Sequence, residues 1–506
     1  MTGLGPDGIF APPHPAAHSS GFREGHHAKS RRLSDAADLA LRLSGAVSQP
    51  AAAAGVDLVD LGGYLFLPPL AEFNLPLVPG LDKVSIPNLS VLLIIWLGTQ
   101  EKLQLWPASR LAGFLVVGLV FSAVPTVLTN GDPILFQAIR GFEPILFPVD
   151  ALPGLSIRDI GSVLIGQMLM LVPFLLARQF LADEEGLREL LLAFMIGGLI
   201  YSVPSLFEIR FSPQLNTWIY GFFQHSFEQM MRNGGFRPIV FLPHALWLAI
   251  FMCIALLSAV ALARQTPVID RWKMLLLAAY LGVVLLLCKS LASIAYALLL
   301  VPMVLLVPAR WQIRLAVVFA AVAVIYPMLR NAGLVPLDAI LAQAEAISAD
   351  RAHSLGYRFM NEERLLARAA EKPWFGWGGW GRNLIRDATN GNILSIPDGR
   401  WIIVFGTFGW VGYLCEMGLL ALPIFLMGLH LYRQGDAGLS PWVAPLLLIL
   451  GITMMDMLLN ATLTPLTWLT AGAILGHAEG LAAARRGQTA LDASANPALQ
   501  AKRTVF

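Results

Sequence analysis

Arginine and lysine side chains lie where apolar segments of this sequence end, and they are suited to binding an anion. A guanidinium is a planar fork of N–H donors, which matches the oxygens of a phosphate group and forms strong charge-assisted hydrogen bonds. The candidate anion-binding residues are Arg232, Arg237, Lys289 and Arg358. The alternative is that the first two arginines only extend from a helix end to solvent, and that the lysine only marks a tight turn.

The long polar stretch 331–402 contains further candidate groups on a predicted helix. Residues 356–371 have the spacing of an amphipathic helix, with an apolar stripe formed by Phe359, Leu365, Leu366 and Ala369. Arg358 and Glu362 are four residues apart on this helix, so we expect them to form an ion pair. The alternative is an amphipathic helix that lies on a membrane surface.

Aromatic and polar residues around this helix are candidates for contacting a sugar. Pro373 ends the predicted helix, and the glycine- and tryptophan-rich run 374–381 follows it. Glycine lets the backbone approach a ligand closely, and tryptophan suits either stacking on a sugar ring or a position at a membrane interface. The candidate glycan contacts are Trp377, Trp380, Arg400 and His244. His244 is predicted about two turns inside an apolar segment, where the alternative is a hydrogen-bonded interior histidine.

The composition predicts an integral membrane protein. Of 506 residues, 56% are hydrophobic and only 13% are charged, whereas soluble domains carry about 25% charged residues. The net charge of +2 does not favour a nucleic-acid partner. Each of the three cysteines falls inside an apolar segment, so neither a disulfide framework nor a zinc site is predicted. Histidines near the N-terminus are too irregularly spaced to predict a metal site, and we expect neither a metal nor another cofactor.

The apolar segments predict an all-α protein with about twelve transmembrane helices, because about 20 apolar residues span a bilayer. Proline residues interrupt the first two segments, and one of them is a candidate re-entrant segment. The predicted spans are 57–79, 84–99, 110–129, 158–178, 188–208, 238–263, 273–288, 291–308, 314–330, 403–431, 442–460 and 464–484.

The distribution of lysine and arginine predicts the orientation of these spans. With the N-terminus in the cytoplasm, every tight basic turn lies on the cytoplasmic side, and an even number of spans returns the C-terminus there. The long polar stretch then lies on the opposite side, which in a bacterium is the periplasm. The predicted parts are a disordered cytoplasmic tail at 1–55, a bundle of nine spans at 56–330, a partly helical periplasmic segment at 331–402, three further spans at 403–486 and a cytoplasmic tail at 487–506.

The order of motifs in the second half resembles the O-antigen ligase and Wzy-type polysaccharide polymerase superfamily. Ser354 and Arg358, a helix, and then Lys372-Pro-Trp-Phe-Gly-Trp-Gly378 match its pattern, and the arginines before residue 238 are similar to its upstream arginine loop. A histidine–asparagine pair and a later Gly-x-x-Gly usually follow in that family. Here Asp398 and Gly399 stand at the position of the pair, before Gly409 and Gly412.

This resemblance implies a metal-independent, inverting glycosyltransferase of the bacterial inner membrane. The expected donor is a glycan linked to undecaprenyl diphosphate, and the expected acceptor is a sugar hydroxyl of another glycan. Arg237 and Arg358, with Arg232 and Lys289, would bind the diphosphate. Asp398 would be the general base, with Glu362 in reserve; the alternative for Asp398 is a helix N-cap. Polysaccharide chain-length or export proteins are further candidate partners, besides the lipid bilayer.

Other functions remain open from the sequence. Within the enzyme reading, the incomplete histidine–asparagine signature favours an exopolysaccharide or O-antigen polymerase over a ligase that transfers to lipid A-core. A transporter or flippase for lipid-linked oligosaccharides also needs many spans and a cationic cavity, but the two halves of this chain show no internal repeat. A non-catalytic component of an export complex is the third alternative.

Overall fold

The computed structural model describes residues 51–73, 80–98, 102–140, 145–232 and 234–495. The predicted disordered tail, up to residue 50, and the histidines within it lie outside the described residues, as does the end of the C-terminal tail from residue 496. Residues 51–55 of that predicted tail begin the first helix. The fold is mostly helical.

Sixteen α-helices are described. In chain order they are α1 (Ala51–Phe66), α2 (Ser85–Gly98), α3 (Arg110–Phe121), α4 (Ala123–Leu128), α5 (Ile157–Phe180), α6 (Glu184–Phe211), α7 (Leu215–Tyr220), α8 (Ala245–Gln265), α9 (Val268–Leu287), α10 (Leu291–Leu306), α11 (Ala309–Asn331), α12 (Leu337–Ile347), α13 (Ala349–Ala370), α14 (Arg400–Gln434), α15 (Val443–Asp456) and α16 (Pro465–Ala495).

Among the described residues, six helical segments are long and apolar enough to cross a membrane. They are Arg110–Leu128, Ile157–Phe180, Glu184–Phe211, Ala245–Gln265, Ala309–Asn331 and Arg400–Gln434. Each of the twelve predicted spans overlaps a helix, but the helices of the other six are shorter or carry more charge, so twelve crossings stay a prediction. Helices suit this composition because they satisfy every backbone hydrogen bond within one segment, as the interior of a bilayer requires.

The helix α8 forms the centre of the bundle. In its most apolar window, 89% of the residues are buried inside the protein, and it packs against α6, α9, α10 and α15. The helix begins at Ala245, not near residue 238 as predicted. Around this centre, α11 packs against α14 and α15, and α16 packs along α5.

Two small antiparallel sheets depart from the all-α prediction. Strands β1 (Ile134–Arg140) and β2 (Ile145–Leu152) pair between α4 and α5. Strands β3 (Met231–Arg232) and β4 (Gly235–Phe236) form a two-residue ladder before α8. Both hairpins lie in connections between the predicted spans, where the sequence analysis predicted no regular structure.

The predicted amphipathic helix is present as part of α13, and its apolar stripe faces protein. Phe359, Leu365, Leu366 and Ala369 are buried, and the helix packs against α12 and α14. A helix lying on a membrane surface would leave this stripe free for lipid, so packing within the protein replaces that alternative.

The glycine-rich run after α13 packs into a kink of α14. Gly409 has a φ of +64° inside α14, and a side chain there would overlap the carbonyl group of Trp374. The amide of Trp410 donates to the carbonyl of Pro373 at 2.7 Å, and the amide of Trp377 donates to that of Gly406 at 2.9 Å. The glycines therefore allow close approach between two parts of the backbone, and their approach to a ligand stays a prediction.

Candidate functional site

Arg237 follows the β3–β4 hairpin and projects a buried guanidinium. The backbone amide of Arg237 donates to the carbonyl of Met230 at 2.7 Å. The carboxylate of Glu208, near the end of α6, accepts from the amides of Ile239 and Val240 at 2.8 and 2.7 Å. The loop is thus tied to the helix bundle on both sides of Arg237, which fixes the direction of its side chain.

The guanidinium of Arg237 lacks hydrogen bonds that its burial would normally demand. The residue is 4% exposed, yet its Nε and Nη2 have no hydrogen-bond partner among the described residues. Burial, together with the charges of Arg232 and Arg358, lowers the pKa of Arg237 to about 10. A buried cation beside two other cations is costly, so an anion that enters this region is strongly favoured.

Arg358 extends from α13 to the loop between α15 and α16. Its Nη1 donates to the carbonyl of Leu459 at 3.0 Å and to Oδ1 of Asn460 at 3.1 Å. The amide of Asn460 donates in turn to the buried carboxylate of Asp456 at 3.0 Å, and the hydroxyl of Thr462 donates to the same carboxylate at 2.7 Å. This chain of polar groups orients Arg358 while other N–H groups of its fork remain available for a ligand.

Asp398 lies beside Arg358 at the end of the polar segment. Its Oδ2 is 3.9 Å from Nε of Arg358, and its side chain is 32% exposed. Burial raises the pKa of the Asp398 carboxyl above its usual range, and the charge of Arg358 partly opposes that shift. Gly399 is the N-cap of α14 and no side chain caps it, so the N-cap alternative for Asp398 is wrong.

Glu362 lines the same cleft as Asp398 and Arg358 but is held by another helix. Its Oε1 accepts from Nε of Arg330 at 2.7 Å and from the hydroxyl of Tyr326 at 3.1 Å, both on α11. The predicted ion pair with Arg358 is therefore wrong. Burial raises the pKa of Glu362, and the hydrogen bond and charge of Arg330 oppose that shift. The hydrogen bonds from Arg330 and Tyr326 join α13 to α11 through this carboxylate.

Lys289 supports the hairpin that precedes Arg237. It has a φ of +54° in the turn between α9 and α10, and its Nζ donates to the backbone carbonyl of Arg232 at 2.7 Å. A Cβ atom on Gly235 would come within 2.7 Å of that Nζ. The ammonium thus holds the loop in place, and it lies beside the anion-binding residues that the sequence predicted.

His244 lies at the N-terminus of α8 and not two turns inside it. Its Nδ1 accepts from the amide of Leu246 at 3.0 Å, so it acts as the helix N-cap. Burial, together with the neighbouring His225, Arg237 and Arg358, lowers the pKa of His244 to about 3. The ring is neutral at physiological pH, and its Nε2 carries the proton because Nδ1 accepts a hydrogen bond.

Of the other three predicted glycan contacts, Trp377 and Arg400 are engaged by charged groups of the protein and Trp380 is exposed. The guanidinium of Arg368 lies 3.3 Å from the ring centroid of Trp377 and the ammonium of Lys372 lies 4.5 Å from it, so this ring stacks on cations of the protein. Arg400 pairs with the buried carboxylate of Glu416, with its Nη2 2.6 Å from Oε2. Trp380 is 56% exposed, and no contact joins it to Arg358 or Asp398.

Several residues of the site were missed by the sequence reasoning. They are His225, whose ring lies 4.5 Å from that of His244, Tyr326 and Arg330 beside Glu362, and Asp456, Asn460 and Thr462 beneath Arg358. Asp456 had a signal, because a carboxylate at the end of an apolar segment is costly unless it serves a purpose. Tyr326 and Arg330 on α11 had no such signal in the sequence, since only the tertiary structure brings them to Glu362.

The cleft between these residues is narrow. Arg358, Glu362, Asp398 and Leu459 line a cavity of about 10 Å³, roughly the space of one water molecule, so a sugar can enter only when side chains move. In the part of the chain that is described, no group of three or more His, Cys, Asp or Glu side chains is placed to hold a metal ion. The arrangement joins guanidinium groups for an anion to a carboxylate for a proton.

Comparison with protein-family models and with curated proteins finds no match for this chain.

Proposed function

We propose that this protein is a membrane glycosyltransferase that moves a glycan from undecaprenyl diphosphate to a sugar hydroxyl, as a polysaccharide polymerase. The observation that carries the proposal is the buried guanidinium of Arg237. Two of its nitrogens have no hydrogen-bond partner among the described residues, and the charges of Arg232 and Arg358 act on it. Such a group has a net attraction for a diphosphate, because the ligand supplies both the missing hydrogen bonds and the missing negative charge.

The reaction forms one carbon–oxygen bond and breaks another. The acceptor oxygen attacks the anomeric carbon of the donor sugar, on the face opposite the diphosphate, so the configuration inverts. The bond from that carbon to the diphosphate oxygen breaks, and its electron pair leaves with undecaprenyl diphosphate. Arg237 and Arg358 stabilise the negative charge that develops on the leaving group, which is the step that otherwise limits the rate.

Asp398 accepts the proton of the acceptor hydroxyl. Its raised pKa makes it a stronger base than a solvated aspartate, and the charge of Arg358 favours its ionised form. Arg358 thus links the two halves of the reaction, since it lies 3.9 Å from the Asp398 carboxylate and its charge acts on Arg237. Asp398 takes the position at which the similar superfamily usually has histidine.

The membrane location of the site fits a lipid-linked donor. Arg358 contacts the loop that follows α15, and Arg237 precedes the central apolar helix α8, so both lie at the ends of apolar helices. A polyprenyl chain in the bilayer would bring its diphosphate to this level. The lysine and arginine distribution favours the periplasmic side of a bacterial inner membrane for this end of the bundle.

The test is turnover of a synthetic undecaprenyl-diphosphate-linked glycan by the purified chain in detergent, followed by mass spectrometry. We expect Arg358→Ala to lower the rate by at least about 100-fold, the usual cost of one donor to a developing oxyanion. Arg364→Ala is the matched control, because Arg364 is an exposed arginine on the same helix. Arg358→Lys keeps the positive charge but not the forked guanidinium, so its rate should lie between the rates of Arg358→Ala and Arg364→Ala.

Full activity of Arg358→Ala, with a thermal melting temperature unchanged from the parent, would refute the role of this arginine. Detergent solution also separates the enzyme from a flippase, because a flippase produces no new glycosidic bond without a second compartment. Supplying lipid A-core as the acceptor separates a ligase from a polymerase, which uses a glycan still linked to lipid.

A further inference from the structure

A second basic cavity lies at the opposite end of the bundle from Arg358. The helix α14 has 35 residues, so Arg433 in its last turn lies roughly 50 Å of helix from Arg400 at its start. The cavity there has a volume of about 820 Å³, which is in the range of small-molecule binding sites. It is formed between the end of α14, the second half of α16 and the beginning of α3.

The lining of this cavity is strongly cationic. Arg433, Arg485 and Arg486 contribute three positive charges, and Glu479 contributes one negative charge. The carboxylate of Glu479 is already used, because its Oε2 lies 2.9 Å from Nη1 of Arg178 and its Oε1 accepts from the amide of Ser109 at 2.7 Å. The basic side chains of the lining therefore outnumber its single carboxylate, and the net charge of the lining is positive.

A buried histidine side chain adds a second polar feature to the wall. His430 is 6% exposed, and its Nε2 lies 2.9 Å from the carbonyl oxygen of Ala437. A carbonyl only accepts, so Nε2 carries the proton and Nδ1 is left with its lone pair. Nδ1 has no partner among the described residues.

The rest of the wall is apolar and continues along the helices. The side chains that form it are Leu426, Leu429, Ala478, Leu481 and Ala482. Basic groups at the helix ends above an apolar wall match the amphipathic shape of an anionic phospholipid. Its phosphate would meet the arginines, and the upper part of an acyl chain would lie along the leucines. A freely diffusing phosphate would use only the first half of this surface.

We propose that this cavity binds the phosphate headgroup of an anionic membrane lipid. The occupant is distinct from the lipid-linked glycan of the proposed function, since the two sites lie at opposite ends of α14, and the proposal stands whether or not the protein is a glycosyltransferase. Basic pockets between helices at the cytoplasmic side of a membrane recognise such headgroups, and the basic turns of this sequence predict that side for Arg433.

The test is lipid binding by the purified full chain, measured by native mass spectrometry and by thermal melting. We expect phosphatidylglycerol and cardiolipin to bind and raise the melting temperature, and phosphatidylcholine to do neither. The variant Arg433→Gln/Arg485→Gln/Arg486→Gln should bind phosphatidylglycerol on the order of 100-fold more weakly, from about 1 kcal/mol for each basic residue near an anionic surface.

The matched control is Arg310→Gln. Arg310 is exposed at the beginning of α11, whose other end pairs with Glu362, so it lies at the same end of the bundle as Arg433 but outside the cavity. It should leave lipid binding unchanged. Equal binding of phosphatidylcholine, or unchanged binding by the triple variant with unaltered melting in neutral lipid, would overturn the proposal. Equal stabilisation by inorganic phosphate alone would also overturn it, because it would identify a free anion as the occupant.

Discussion

Replacing Arg237 by methionine should make the protein more stable while removing its activity. The guanidinium is 4% exposed and lacks partners at two nitrogens. Its pKa falls from an ordinary value of about 12.5 to about 10. Each pKa unit corresponds to about 1.4 kcal/mol, so the folded state disfavours the charged form by roughly 3 kcal/mol. At pH 7 the group is charged in both the folded and the unfolded state, so the whole cost is present.

Methionine retains most of the side-chain length without the charge. We expect Arg237→Met to raise the free energy of unfolding by about 1–3 kcal/mol, as for other buried charges replaced by apolar side chains. In a chain of this size that is an increase of a few degrees in melting temperature. Inorganic pyrophosphate should stabilise the parent protein and leave the variant unaffected, since the ligand binds only the guanidinium form of the site.

The control for this experiment is a buried arginine that does have partners. Arg330 is 7% exposed and pairs with Glu362 and Glu363 at 2.7 and 2.5 Å. Arg330→Met should lower the free energy of unfolding by about 3–5 kcal/mol, because it leaves a buried carboxylate unpaired. If Arg237→Met lowers the melting temperature as Arg330→Met does, the guanidinium of Arg237 has a structural role and the reasoning is refuted.

Three further predictions follow from the same geometry. Asp398→Asn should lower the rate of glycan transfer at least about 100-fold and leave the melting temperature unchanged. In the parent protein the rate should rise with pH through the raised pKa of Asp398, since only the carboxylate accepts a proton. Glu362→Gln should lower the melting temperature because it weakens the buried pair with Arg330. Gly409→Ala should lower both the melting temperature and the transfer rate, because its φ of +64° and the close backbone of Trp374 leave no room for a methyl group.

Each of these outcomes has a control in the same part of the chain. Asp387→Asn is the control for Asp398→Asn, because it removes a half-exposed carboxylate of the same segment. Equal activity of the two variants would contradict the role of Asp398 as the general base. Glu371→Gln, which weakens an exposed pair with Arg368, should cost at most about 1 kcal/mol. Gly161→Ala adds a methyl group where nothing lies within 4 Å; equal melting of the two glycine variants would contradict the close packing in the kink.

Much of the helical framework was predictable from the sequence. Runs of apolar residues of sufficient length marked six helices that can cross a membrane, and the spacing of Phe359, Leu365 and Leu366 marked the buried face of α13. These features depend on local composition and period, which the sequence states directly. The start of α8 was misjudged because the apolar run continues into the loop before Ala245, where the backbone is not helical.

The pairing of charges was beyond the sequence. Arg358 and Glu362 have a spacing at which an exposed helical pair is worth only about 0.3–0.5 kcal/mol. In the folded protein, Glu362 meets the buried guanidinium of Arg330 instead, and Arg358 turns to Asn460 and Asp398. Charged and polar groups more than 30 residues away thus replace the partner four residues away on the same helix, since burial makes a paired charge far more favourable than an unpaired one.

The amino-acid sequence by itself determined a mostly helical chain with apolar helices of membrane-spanning length, and it determined which cations and carboxylates are available for chemistry. Those conclusions rest on hydropathy, period and residue type, which need no knowledge of neighbours. Only the tertiary structure decided that Arg237 is buried without partners, that Asp398 lies beside Arg358, and that the glycine-rich run packs against α14. Burial and distance between remote residues arise when the helices pack, so these properties belong to the folded chain.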